Sequence, residues 1–237
     1  MLGILVILLI SWILLYVFQR KSILALGVLP VHKRLLQFLI GFCITAILCL
    51  GVELAKIPLY NLGFNLNQSY DLNMLAGMLL WDMKSVVTEE LLFRGALLII
   101  LIKKLGKQKG LLISALAFGI YHWFSYGIFG NVVPMIIVLI GTGLMGYAWA
   151  LSFAKTQTIL MPIGLHLGWN FTFNTIFSNG PLGEGVFLSD GGAPISDWYS
   201  LVGLIGVPIV VFLIVKYLFP TEKDKNEPSE VLATATN

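Results

Sequence analysis

Long apolar runs follow one another along the chain, at about 2–18, 35–52, 74–102, 110–126, 132–152, 158–177 and 198–218, with short polar or basic stretches between them. A helix needs roughly 20 apolar residues, at about 1.5 Å rise each, to cross a bilayer. The pattern therefore predicts seven membrane-crossing helices, with room for an eighth, partial one between 54 and 80. The third run is long for a single crossing, and Trp81, Asp82 and Lys84 within it place its first turns at an interface. Residues 178–197, rich in Gly and carrying Glu184, Asp190 and Asp197, read as a flexible surface loop. Residues 221–237 are charged and lack aromatics, the signature of a disordered tail.

Composition narrows the class. Hydrophobic residues make up 58% of the 237 and charged residues 11%, against about 25% charged in soluble domains. So few charges cannot keep a water-facing surface of this size in solution. A soluble globule, a disordered chain, a disulfide scaffold and a nucleic-acid-binding domain are all excluded, which leaves a polytopic membrane protein in the cell membrane. The N-terminal run lacks the basic flank and small-residue cleavage site of a secretory signal, so it reads as a retained first span. Cys43 and Cys49 lie within one apolar run and read as packing residues.

Charge supplies the orientation. Arg20, Lys21, Lys33 and Arg34 fall between spans one and two, Lys103, Lys104, Lys107 and Lys109 between three and four, Lys155 between five and six, and Lys216, Lys223 and Lys225 after seven. The alternate loops hold only Lys56, while Lys84 and Arg94 lie within the third run. Short cytoplasmic loops carry the excess of Lys and Arg, so the amino terminus is expected outside and the carboxyl terminus in the cytoplasm.

Against this apolar background, Glu89, Glu90, Arg94, His122 and His166 sit inside the spans, joined by the amide of Asn170. Each ionisable group there costs about 2.5–3.5 kcal/mol on insertion scales, which marks it as a functional candidate. Glu90 and Arg94 are four apart and share a helix face, so they can pair, whereas Glu89 points about 100° away with no partner in its own helix. His166 and Asn170 are also four apart. Gly164 and Gly168 repeat that spacing, a small-residue pattern that lets a neighbouring helix approach closely. Counted from the cytoplasmic ends, Glu89, His122, His166 and Asn170 lie roughly 21, 18, 12 and 18 Å deep. Three helices thus bring these side chains within one or two turns of a common level, where they can line one polar cavity.

These residues resemble the motifs of a known family. Glu89-Glu90-Leu91-Leu92-Phe93-Arg94-Gly95 is similar to the EExxxR motif of the CPBP intramembrane proteases, which include the type II CAAX prenyl endopeptidases and the bacteriocin-processing or immunity (Abi) proteins. Phe118-Gly119-Ile120-Tyr121-His122 resembles its FxxxH motif, and His166-Leu167-Gly168-Trp169-Asn170 its HxxxN motif. Gly141 to Tyr147 resembles the small-residue helix that the family places between the last two motifs. The resemblance implies an all-α helical bundle around a polar, water-filled cavity. It also implies an endopeptidase in which Glu89 and His122 activate a water, His166 and Asn170 stabilise the oxyanion, and Glu90 and Arg94 support the site.

Elementary chemistry agrees with hydrolysis. Peptide cleavage needs a base for water, donors aimed at the oxyanion and an acid for the leaving amine. Glu89 and His122 supply base and acid, and His166 with Asn170 the donors. The same two His and one Glu also meet the three-ligand pattern of a catalytic zinc, although HExxH is absent; one divalent cation fits this set without being required by it. The expected partners are a peptide, a lipidated (CAAX-type) protein or a leader-peptide substrate, and the bilayer, with no nucleic acid. Two non-enzymatic readings compete: an inactive immunity or scaffold protein of the same family, and a transporter, which would ordinarily show repeated halves. The chain divides into 1–73 with the N-terminal spans and an outer loop, 74–178 as catalytic core, 179–219 with an outer loop and the last span, and 220–237 as tail, all within one membrane domain.

Overall fold

The innermost helix is also one of the shortest. In the computed structural model, which describes residues 2–222, helix α7 (Leu160–Asn170) has every residue from Met161 to Gly168 buried. Its two small residues explain how it can be so enclosed. A Cβ on Gly164 would collide with the carbonyl of Phe38, and one on Gly168 with the carbonyl of Phe42 and the hydroxyl of Thr45. Helix α2 (Val31–Tyr60) therefore lies directly along α7, at a backbone-to-backbone approach that larger residues forbid.

Around this pair stand α1 (Leu2–Gln19), α3 (Leu72–Arg94), α4 (Ala96–Leu105), α5 (Lys107–Ser125) and α6 (Val132–Thr156). A last helix, 197–218, consists of α8 (Asp197–Leu201), a π turn Val202–Gly206 and α9 (Val207–Leu218). A second π turn, Phe171–Ile176, continues α7. The all-α bundle is thus as expected, with one short addition: β1 (Gly63–Leu66) pairs antiparallel with β2 (Phe187–Asp190). Two apolar clusters hold the bundle together. One runs through Leu15, Val86, Leu98, Leu111, Phe153 and Ile163, the other through Phe118, Met145, Trp149, Leu165 and Val211, and α6 contributes to both.

Four helical stretches are long and apolar enough to cross a membrane: Leu2–Gln19, Ile23–Tyr60, Val132–Thr156 and Asp197–Leu218. This makes the chain a multi-pass membrane protein. Outward-facing side chains such as Leu5, Trp12, Ile47, Val133 and Ile136 are large, apolar and exposed, as a lipid-facing surface requires. The remaining expected crossings, built from α3 with α4, from α5 and from α7, are shorter or carry the ionisable residues.

Several expectations change. The third run is two helices: the chain leaves helical geometry at Gly95, at ψ −135°, in a bend where any Cβ would strike the carbonyl of Leu91; the hydroxyl of Ser114 caps the carbonyl of Phe93 at 2.9 Å just before this break. Residues 54–60 do not form a separate partial helix but extend α2. The supposed flexible loop 178–197 contains β2. Cys49 is buried as expected of a packing residue, but Cys43 is exposed. The tail beyond Glu222 lies outside the described residues.

The basic loops gather at one end of the bundle. Arg34 Nη1 donates to the carbonyl of Thr156 at 2.8 Å, Ile159 N to Leu26 O at 2.8 Å, and Lys104 Nζ sits 4.5 Å from the Phe18 ring centroid. Glu222 closes the same end, pairing with Lys33 at 2.9 Å and donating its backbone N–H to Lys155 O at 2.7 Å.

Candidate active site

Glu89, Glu90 and Arg94 form the last turn and a half of α3, just before the helix breaks at Gly95. Glu90 and Arg94 pair as their spacing predicts, with Arg94 Nη1 donating to Glu90 Oε1 at 3.1 Å and both side chains fully buried. The guanidinium is held on other sides too. Its Nη2 donates to the carbonyl of Gly146 at 3.1 Å, and its carbon lies 4.1 Å from the Phe118 ring centroid and 5.3 Å from that of Trp149. Gly146 is small because a Cβ there would stand 3.0 Å from Nη2.

His166, on α7, completes the cluster. Its Nδ1 donates to the same Glu90 Oε1 at 2.9 Å. Its Nε2 lies 3.9 Å from Glu89 Oε2, near but beyond hydrogen-bond length. Its ring stacks on Trp149, with centroids 4.0 Å apart and planes at 23°. Glu89 also differs from expectation in having a partner within its own helix, since Ser85 Oγ donates to its Oε1 at 3.2 Å. The chain thus presents three ionisable groups around one imidazole, two of them sealed from solvent.

His122, near the end of α5, anchors its Nδ1 on the Phe118 carbonyl at 2.8 Å. Its ring packs edge-on against Phe118, Tyr121 and Tyr126. A carbonyl only accepts, so Nδ1 carries the proton and Nε2 keeps the lone pair. His122, His166 and Asn170 line a cavity of about 390 Å³, together with Phe118, Trp149 and Thr142 and, towards the end opposite the basic loops, Glu53, Lys56 and Tyr199. Glu89 is not among its lining residues but borders it at His166, 3.9 Å from Nε2, while Glu90 and Arg94 are sealed from it. Among the described residues the buried atoms without a protein partner include Glu89 Oε2, Glu90 Oε2, Arg94 Nε and Trp149 Nε1, all belonging to the cluster around His166. Unpartnered polar atoms are uncommon in a buried place.

The zinc alternative fares less well. Among the described residues no three His, Cys, Asp or Glu side chains gather closely enough to hold a metal ion, so Glu89, His122 and His166 do not close into a ligand set.

Four further side chains stand near the cluster or its cavity without having been singled out by the motifs. Asp82, expected at an outer interface, is buried at 1% exposure, accepting from Asn174 Nδ2 at 2.7 Å and Thr175 Oγ1 at 3.2 Å; its spacing of seven from Glu89 puts both on one helix face and is the signal the sequence carries. Trp149 left no signal in spacing. Glu53 and Lys56 on α2 form a bidentate pair at 2.7 and 2.6 Å and were legible as an i,i+3 pair near the end of an apolar run.

Residues 71–172 match the Rce1-like type II CAAX prenyl endopeptidase family. The chain carries an Rce1-like domain. All six candidate residues fall inside the matched segment, which begins at the cap of α3 and ends within the π turn after α7. The matched segment covers somewhat less than half of the chain, and the family it matches is one of prenyl endopeptidases. Comparisons with curated proteins and with solved structures gave no match.

Proposed function

We propose that the chain is an intramembrane endopeptidase that hydrolyses a peptide bond near a lipid-attached or membrane-embedded segment of its substrate. The observation that carries this reading is Glu89 Oε2, buried without a protein partner and 3.9 Å from His166 Nε2. A carboxylate oxygen left unsatisfied beside an imidazole is a proton acceptor waiting for a donor.

The roles follow from the contacts. Glu89 Oε2 takes one proton from the attacking water. His122 Nε2, left with its lone pair because Nδ1–H is tied to Phe118, accepts the other O–H and orients it. As the carbonyl oxygen gains charge, the amide of Asn170 and Nε2–H of His166 donate to it. His166 would then give one ring N–H to Glu90 through Nδ1 and the other to the substrate through Nε2. When the C–N bond breaks, protonated Glu89 passes its proton to the leaving amine, a role that the anchored His122 is poorly set to fill. Glu90 and Arg94 touch neither water nor substrate and hold His166 in place.

The substrate class rests on the site and on the family together. The cavity is largely apolar-walled and enclosed by membrane helices, so it suits a peptide delivered by a lipid or hydrophobic anchor, a prenylated CAAX-type carboxyl terminus or a leader peptide. The cation excess at one end supports seven crossings with the carboxyl terminus in the cytoplasm. The deciding experiment uses detergent-purified protein and internally quenched peptides, one bearing a farnesylated cysteine three residues from its carboxyl terminus. Wild type is expected to cleave and Glu89→Gln to lose cleavage while melting normally. Full activity in Glu89→Gln ends this assignment.

A further inference from the structure

Asp82 is a charged side chain with no place in the chemistry above, and it is buried almost completely. It lies on α3 in register with the site, because Asp82, Ser85 and Glu89 follow at i, i+3 and i+7 and so fall on one helix face. Across from that face runs the continuous segment formed by α7 and its π turn. The two segments touch through carboxylates of α3 at two levels, one from this face and one from the adjacent face. At the inner level Glu90 Oε1 meets His166 Nδ1 at 2.9 Å. At the outer level Asp82 Oδ1 accepts from Asn174 Nδ2 at 2.7 Å and Asp82 Oδ2 from Thr175 Oγ1 at 3.2 Å. Glu89 sits between the two clamps with its free oxygen turned to His166.

The outer clamp grips an element that needs support. A π turn is rare and weakly self-stabilised, and such turns cluster at functional sites. This one begins at the residue after Asn170, so whatever fixes its pitch also fixes the end of α7 that presents the Asn170 amide. Both side chains that Asp82 holds belong to it. The carbonyl of Thr175 is in turn bonded by the N–H of Val186 at 2.9 Å, which ties the turn to the segment leading into β2.

We propose that Asp82 is a positioning residue of the active site. It clamps the π turn to α3, and with the Glu90–His166 contact it sets the separation between Glu89 and the His166–Asn170 pair. The clamp itself is independent of the chemistry; its catalytic consequence rests on the protease reading above. Charge-assisted hydrogen bonds of this kind are the strong ones, and a displacement of about 1 Å at a catalytic group costs on the order of 10²-fold in rate.

Three variants test this. Asp82→Ala removes the clamp. Asp82→Asn with Asn174→Asp exchanges donor and acceptor, so that the new Asn amide donates to the new carboxylate and Thr175 donates to the Asn carbonyl. Asp71→Ala removes the N-cap of the same helix, where Asp71 Oδ1 accepts from Met74 N at 2.8 Å, and so reports a merely structural loss far from the site. Each is compared by thermal melt, by kcat and KM on the farnesylated quenched peptide, and by hydrogen-exchange mass spectrometry over 160–176. Asp82→Ala is expected to speed exchange there by about tenfold and to lower kcat by about 10–10²-fold with KM little changed. The exchanged pair restores both, and Asp71→Ala changes neither beyond its loss of folded protein. Normal exchange over 160–176 in Asp82→Ala, a kcat that falls only as far as in Asp71→Ala, or a folded exchanged pair that restores nothing, would each overturn the proposal. If wild type does not cleave the peptide, the protease reading falls, and the exchange data alone decide whether Asp82 clamps the turn.

Discussion

Glu90 and His166, 76 positions apart in the chain, meet at 2.9 Å through the same carboxylate oxygen that Arg94 reaches at 3.1 Å. One oxygen thus receives a guanidinium from its own helix and an imidazole from another. The pair gives the two adjacent carboxylates of α3 different duties, with Glu90 bonded on the inside and Glu89 left with an oxygen to spare.

Removing one member of the buried pair strands the other. Glu90→Ala leaves Arg94 fully buried without its counter-charge, and Arg94→Ala leaves Glu90 in the same position; each is expected to destabilise the fold by about 3–5 kcal/mol. Thermal melts in detergent should show both falling well below Glu89→Gln. Equal melting of Glu89→Gln and Glu90→Ala would refute the separation of roles.

The close approach of α2 and α7 should tolerate no added carbon. Gly168→Ala drives a methyl group into the Phe42 carbonyl and Thr45, and overpacking of this kind typically costs about 1–3 kcal/mol. Gly51, also on α2, has nothing within 4 Å of its would-be Cβ. Gly51→Ala should therefore raise stability by about 0.5–1 kcal/mol through the reduced freedom of the unfolded chain. Melts of the two variants, opposite in sign, check the prediction.

Lys56 and Glu53 form a pair at the far end of the cavity, with Glu53 at 2% exposure. Lys56→Ala alone is expected to cost about 3–5 kcal/mol by leaving a buried carboxylate unmatched. Lys56→Met combined with Glu53→Leu, which removes both charges, should recover most of that loss. A double-mutant cycle read by thermal melt measures the coupling.

The closure formed by Glu222 should be acid-sensitive. Burial pushes its carboxyl up, but bonds to Lys33 and Gln37 and the charge of Arg34 outweigh this and hold it below its ordinary value of 4.5. A carboxylate bound more tightly in its charged form stabilises the folded state above its unfolded pKa, and that contribution disappears as pH falls through the lower folded value. Glu222→Gln should melt below wild type at pH 7, and the gap should close as pH drops below 4.5. High salt should shrink the gap at pH 7, since the pair is partly exposed.

Topology can be read directly. Reporter fusions after Lys104 and after Lys216 should behave as cytoplasmic, and a fusion near Gly185 as external. A cytoplasmic signal at Gly185 would reverse the orientation drawn from the basic loops.

What the amino-acid sequence determined by itself was whatever depends on local repetition or on bulk solvation. The apolar runs and scarcity of charge specified a membrane bundle, because the bilayer leaves few other ways to satisfy a backbone. The spacing of four specified that Glu90 reaches Arg94, and that Gly164 and Gly168 share a face for α2, because the helical period is a property of one helix alone. Which side chains meet across helices was decided only by the tertiary structure. Depth along each run placed Glu89, His122 and His166 at a common level, but the rotation of α7 against α3 chose Glu90 rather than Glu89 as the partner of His166. The packing of α6 on α7 stacked Trp149 on the same ring. The burial of Asp82 has the same origin: from the sequence it is a charge near the start of a long run, and only the π turn after Asn170 brings Asn174 and Thr175 to meet it. The break at Gly95 lay hidden inside one continuous apolar run, and the β1–β2 pair came from contacts between segments more than a hundred residues apart. The period of a helix orders its own residues, and the mutual rotation of two helices is set by the packing between them.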